Sequence, residues 1–63
     1  MTQKELLYFE DAIGHETSII KILKDSIENL NDERLVTFMN SELSKHNELK
    51  QKLMNKLGEK VNG

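Results

Sequence analysis

Glu16, Glu42 and His46 are the side chains whose types and spacing could do chemistry together. Glu42 and His46 stand four residues apart, which sets them on one face of a helix. Glu16 interrupts a run of apolar residues spaced three and four apart, between Ile13 and Ile20, and so falls near the middle of an oily arc. If the chain folds back about residues 30–31, Glu16 lies level with about residue 45. Two carboxylates and an imidazole then meet in one layer, and a two-fold partner would double the set to four carboxylates and two histidines. Oxygen and imidazole ligands without thiolate suit a divalent ion such as iron, manganese or zinc. Carboxylate-bridged dimetal sites in four-helix bundles combine glutamates with Glu-x-x-His pairs. Here the spacing is Glu-x-x-x-His, which still turns both side chains inward but alters how they could share an ion. The same residues have a use without metal. Glu–His hydrogen bonds would neutralise buried charge and fix the register of packed helices. The residues alone leave both readings open.

Other polar groups offer less. His15 can reach Asp11 one turn back and sits at the edge of the apolar arc beside Tyr8 and Ile22, a place for an interface or surface histidine rather than a ligand. There is no Ser/His/Asp or Cys/His set and no Gly-rich phosphate loop, so catalysis has no nucleophile to start from and no enzyme is expected. Met39 and Met54 read as core filler.

The elements that must position Glu16, Glu42 and His46 are two helices. Proline is absent, the only glycines are Gly14, Gly58 and Gly63, and the apolar spacing is helical throughout. Thr2 and Glu5 form a Thr-x-x-Glu capping box, which predicts a first helix over about 3–29. Its seam is Leu6, Phe9, Ile13, Ile20, Leu23, Ile27 and Leu30. Asn31 or Asp32 can cap a second helix, expected over about 33–57 and carrying Leu35, Phe38, Met39, Leu43, Leu49, Leu53 and Leu57. Gly58 is a suitable stop, with residues 58–63 a frayed tail. So short a connection makes the helices antiparallel neighbours in a single domain spanning 1–63. Charge agrees: residues 1–31 carry six acids and three lysines, residues 32–63 five acids and six basic residues. Folding back sets Glu5, Glu10 and Asp11 beside the lysines of the second helix's end. Gly14 costs the first helix about 1 kcal/mol relative to alanine, and close approach of a partner beside Glu16 would explain it.

A lone hairpin of this size cannot build a sizeable core. The chain has 63 residues, 37% hydrophobic, with Tyr8, Phe9 and Phe38 the only aromatics. Ordering a residue costs roughly 1.5 kcal/mol, so a chain this small needs disulfides, a metal or a partner. Cysteine is absent, which removes the first. The apolar side chains of helix 1 spread over roughly half its circumference, whereas one neighbouring helix covers a stripe about 100° wide. One edge holds Leu6, Ile13 and Ile20; the other holds Tyr8, Ala12, Ile19 and Ile22. The second edge is the expected dimer interface, and the expected fold is all-α: an antiparallel two-helix hairpin that dimerises into a four-helix bundle. A net charge of −2 with no basic, aromatic-bearing stripe argues against nucleic acid. No apolar run approaches a membrane span, and the first residues lack a signal peptide's apolar stretch, so an intracellular protein is expected.

The stretch from Glu5 through Leu6, Leu7 and Tyr8 to Glu10, Asp11, Ala12, Ile13, Gly14, His15 and Glu16 resembles the opening of small ferritin-like spore-coat proteins of the coat-F type. Leu30 to Leu35 and the His46-bearing helix also fit. The resemblance implies a ferritin-like helical bundle in the mother-cell cytoplasm or the coat of bacterial endospores, with other coat proteins as further partners and Glu16 and His46 as family-like polar positions. Three functions follow as expectations: a structural, self-associating coat protein; a small ferritin-like metal-binding protein using Glu16, Glu42 and His46; and a regulatory hairpin that binds a sporulation response regulator. The last resembles proteins with a Ser-x-x-x-Asp motif in the second helix, and the stretch from Asn40 to Ser44 lacks it.

Overall fold

A computed structural model describes residues 1–62, which form two helices, α1 (Gln3–Asn29) and α2 (Glu33–Asn62), folded as a hairpin 46 Å long and 15 × 11 Å across. No strand occurs among the described residues. Helix α1 starts as the sequence predicts. The Thr2 hydroxyl accepts from the Glu5 amide at 3.1 Å, and the Glu5 carboxylate accepts from the Thr2 amide at 2.9 Å. These bonds satisfy two of the amides that a helix start leaves without partners. Leu30 leaves the helix in an extended conformation. Asp32 then caps α2, its carboxylate accepting from the amides of Arg34 at 2.8 Å and Leu35 at 3.3 Å.

Both helices present an unbroken 3-4 repeat to each other. On α1 it is Leu6, Phe9, Ile13, Glu16, Ile20, Leu23, Ile27 and Leu30, all buried or half-buried. On α2 it is Val36, Met39, Leu43, His46, Lys50, Leu53 and Leu57, all half-buried. This corrects the expected seam of α2. Leu35, Phe38 and Leu49 are 48%, 59% and 43% exposed, and Val36 and Lys50 stand in the repeat instead. Lys50 suits a seam position because its aliphatic stem can cover apolar surface while the ammonium stays wet.

The end of α2 is a second correction. Gly58 does not stop the helix, which runs on to Asn62. No glycine among the described residues adopts a positive φ, so no left-handed cap forms there. The extra turn has neighbours: Lys60 and Val61 line one groove with Met1, Thr2, Gln3 and Leu6, and Lys56 pairs with Glu59 at 3.3 Å. Gly63 of the expected tail lies outside the described residues. A third correction concerns charge. Glu10 and Asp11 form no ion pair with the α2 lysines among the described residues, whereas Glu5, engaged by its own cap, does lie within the influence of Lys60 as expected. Pairs between exposed long side chains gain little, so helix packing need not bring them together.

Candidate functional site: a polar layer and an apolar flank

Glu16 is the most buried residue described, at 7% exposure, followed by Ile20 at 8%; no side chain is fully buried. A carboxylate thus sits at the centre of what core the hairpin has. Burial of an ionised carboxylate is costly unless it is hydrogen-bonded, and His46 supplies the bond. Its Nδ1 lies 2.5 Å from a Glu16 carboxylate oxygen, in the one side-chain hydrogen bond that joins α1 to α2 among the described residues. With Glu16 ionised, Nδ1–H donates and the bond is charge-assisted. On the other side of the ring, Nε2 is 4.0 Å from Glu42, whose carboxylate pairs with Lys45 at 3.5 Å. The result is a line of polar groups, Lys45–Glu42–His46–Glu16, running from the hairpin surface to its middle. No buried polar side chain in the described residues lacks a partner.

The structure brings together the three residues expected to bind metal, but not around one point. Glu16 and Glu42 address opposite nitrogens of His46, and the 2.5 Å contact leaves no room for an ion between its two atoms. Zinc would need each ligand atom at about 2.0–2.2 Å from itself, with the atoms converging. No cluster of three such ligands able to hold an ion occurs among the described residues. In a single hairpin the residues fit a hydrogen-bonded layer and do not fit a metal centre.

Beside the seam, the two flanks of the hairpin differ. On one flank, α1 carries a second 3-4 repeat: Tyr8, Ala12, His15, Ile19, Ile22 and Ser26. Tyr8 and Ile22 are 61% and 64% exposed, Ala12 and Ile19 are half-buried already in the single hairpin, and His15 is exposed without an ion pair to Asp11 among the described residues. The expected interface set therefore divides. Tyr8 and Ile22 project outward, while Ala12 and Ile19 border the seam. Lys4 lies over the Tyr8 ring at 5.9 Å. On α2 the corresponding repeat is Leu35, Phe38, Glu42, Lys45, Leu49 and Lys52. Helix geometry in an antiparallel pair sets the two repeats on the same flank. The sequence reading missed Leu35, Phe38 and Leu49 as flank residues. The signal was present, because the spacing 35, 38, 42, 45, 49, 52 is itself helical.

The opposite flank is polar near the turn, with Thr17, Lys24, Asn40 and Asn47. Near the chain ends it opens into a largely apolar groove of about 600 Å³ lined by Ile13, Gly14, Met54, Leu57, Gly58 and Val61, with Glu10 at its edge. A Cβ added at Gly14 or Gly58 would meet nothing within 4 Å, so nothing in the hairpin itself approaches either glycine closely.

The carboxyl of Glu5 is shifted by its cap. The hydrogen bond from the Thr2 amide, then that with the Thr2 side chain, hold its carboxyl below the ordinary value. No helix of the described residues is long and apolar enough to cross a membrane.

Comparison with family models, with curated proteins and with solved structures finds no match to this chain.

Proposed function

We propose that this chain is a structural, self-associating protein, two copies of which pack their apolar flanks into a four-helix bundle. The observation that carries this reading is the flank itself, where Tyr8, Ile22, Leu35, Phe38 and Leu49 stand exposed on one side of a hairpin without a fully buried side chain. Area supports it. The hairpin exposes 5049 Å² at a mass of 7.3 kDa, whereas a compact monomer of that mass exposes about 4,200 Å². The excess is roughly 850 Å², close to the ~800 Å² that each partner buries in a standard interface. Shape supports it too. The radius of gyration is 14.6 Å, against about 10.6 Å for a compact chain of this length. The resemblance of residues 5–16 to coat-F type proteins supports a place for this bundle in the endospore coat.

Sedimentation equilibrium across a hundredfold concentration range tests the proposal. The expected result is a dimer that Ile22→Asp and Phe38→Asp each convert to monomer, with loss of helicity. A monomer that keeps its full helical signal at high concentration would overturn it. The alternative is a metal-binding bundle, which requires Glu42 and His46 to turn away from their present partners and a second copy to complete the ligand set. The 2.5 Å Glu16–His46 contact favours the hydrogen-bonded layer.

A further inference from the structure

We infer that the two copies lie with their turns at the same end of the bundle, α1 of each copy against α2 of the other. This rests on the self-association proposed above and adds its geometry. The Glu16–His46 bond fixes the heights of residues along the hairpin. In an antiparallel pair, a residue of α1 is level with the α2 residue whose number brings the total to about 62.

On that scale the associating flank is not uniform. Toward the turn it is mainly apolar: Ile22 and Phe38 share one height, Leu35 lies beyond them, and Glu42 is the one acid among them. Toward the chain ends it carries Glu5, Lys52 and Lys56, all exposed. A two-fold axis parallel to the hairpin sets each height of one copy against the same height of the other and exchanges the helices. Ile22 then faces the partner's Phe38, Ala12 faces the partner's Leu49, and Glu5 comes beside the partner's Lys56. At these heights apolar meets apolar and a carboxylate meets an ammonium, while Ile19 comes beside the partner's Glu42. The Glu16–His46 layers of the two copies also fall at one height, so neither is laid across the other's hydrocarbon.

A two-fold axis across the hairpin, which puts the turns at opposite ends, keeps Ile22 near the partner's Tyr8 and Ala12 but loses the other matches. Phe38 then lies over the partner's Lys52, and Leu35 over the partner's Lys56. Both lysines would be laid against hydrocarbon, Lys52 with no ion pair among the described residues, and Glu5 would face no cation of the partner. Sliding the copies so that only their turn halves overlap avoids those clashes but leaves Tyr8, Ala12 and Leu49 uncovered. Opposite neighbours therefore favour the same-end arrangement.

The chain has no cysteine, so a single nitroxide spin label can be placed at Asn31→Cys in the turn or, as an independent site, at exposed Glu28→Cys. Pulsed dipolar spectroscopy then reads the distance between copies. With neighbouring helices packed about 10 Å apart, turns at the same end give a distance below about 30 Å at both sites. Turns at opposite ends give a distance approaching the 46 Å length of the hairpin. A long distance in a protein that sediments as a dimer would overturn this arrangement and leave self-association standing. Absence of dipolar coupling together with monomeric sedimentation would overturn both.

Discussion

His46→Leu should destabilise the protein far more than the double substitution Glu16→Leu/His46→Leu. The two members of this pair are not equally wet: the Glu16 side chain is 10% exposed, the His46 ring 27%. His46→Leu therefore strands a carboxylate that water can scarcely reach. Hydrogen bonds to charged groups contribute about 1.5–3 kcal/mol, and breaking a fully buried pair costs about 3–5 kcal/mol. The residual exposure here places the expected loss near 2–3 kcal/mol, or a fall of roughly 10 °C or more in Tm for a chain of this size. Glu16→Leu leaves behind an imidazole that can turn to water and to Glu42, so its cost should be about 1 kcal/mol or less, and added apolar burial can offset even that. The double variant replaces the whole layer with hydrocarbon, which in other buried pairs has been neutral or stabilising by about 1–4 kcal/mol. The assay is urea and thermal denaturation followed by circular dichroism. All four proteins should be held at one concentration, because association makes the midpoint concentration-dependent. A coupling below about 0.5 kcal/mol from the complete cycle, or a double variant as unstable as His46→Leu, would refute the claim that the bond holds the layer together.

Further outcomes follow from individual residues. Gly14→Ala and Gly58→Ala should each raise stability by about 0.5–1 kcal/mol, since both positions are helical and the added methyl meets nothing in the hairpin; a loss of Tm at Gly14 would show that a partner uses that gap. Thr2→Ala should cost about 0.5–2 kcal/mol, read from the same melts. The Glu5 contribution should depend on pH with a definite sign. Its folded carboxyl titrates below the ordinary value, so the stabilisation is fully present above the ordinary carboxylate range and is lost as pH falls through the lowered folded value. The Tm gap between the parent and Glu5→Ala should therefore be open at pH 7 and narrow on acidification; a gap that widens at low pH would contradict the cap. Iron, manganese or zinc added at tenfold excess should leave the melting of the hairpin-derived bundle unchanged, because Glu16 and Glu42 address opposite nitrogens of His46; a metal-dependent rise in Tm abolished by Glu16→Ala would reinstate the metal-binding alternative.

The sequence was most legible where a local rule acts alone. The Thr2–Glu5 box placed the start of α1, and the choice of Asn31 or Asp32 placed the start of α2 to within a residue, Asp32 proving to be the cap, because capping depends on residues two or three apart in the chain. The meeting of Glu16 with His46 was legible because an interrupted 3-4 repeat and a short turn leave few registers open. The α2 seam was less so. Helix 2 has apolar residues on two adjoining stripes, and periodicity alone cannot say which of them faces α1. Leu35 and Phe38 look as core-like as Val36 and Met39 until the partner helix is placed. The end of α2 failed for a related reason. Glycine favours a helix stop only where a left-handed turn is wanted, and at Gly58 the chain continues alongside the first residues of α1.

The position of the polar pair has a consequence for folding specificity. With leucine at 16 and 46 the seam would be nearly indifferent to a slip of one heptad, since most of its apolar residues would then find another seven positions away. Such a slip would set Glu16 against Met39 or Leu53, and His46 against Phe9 or Leu23. Each slip buries two polar groups against hydrocarbon in place of one satisfied bond, at a cost of several kcal/mol. The four residues from Leu30 to Glu33 oppose the same slip less firmly, because a turn can lengthen by unwinding helix ends at modest cost. On this argument the double Leu variant should be as stable as the parent but less singular in structure. Its nuclear magnetic resonance spectrum should show broadened or duplicated amide signals near Leu43, Leu53 and Ile13. A single sharp set of signals from that variant would mean that the turn alone determines the register, and that Glu16 and His46 are kept for something other than alignment.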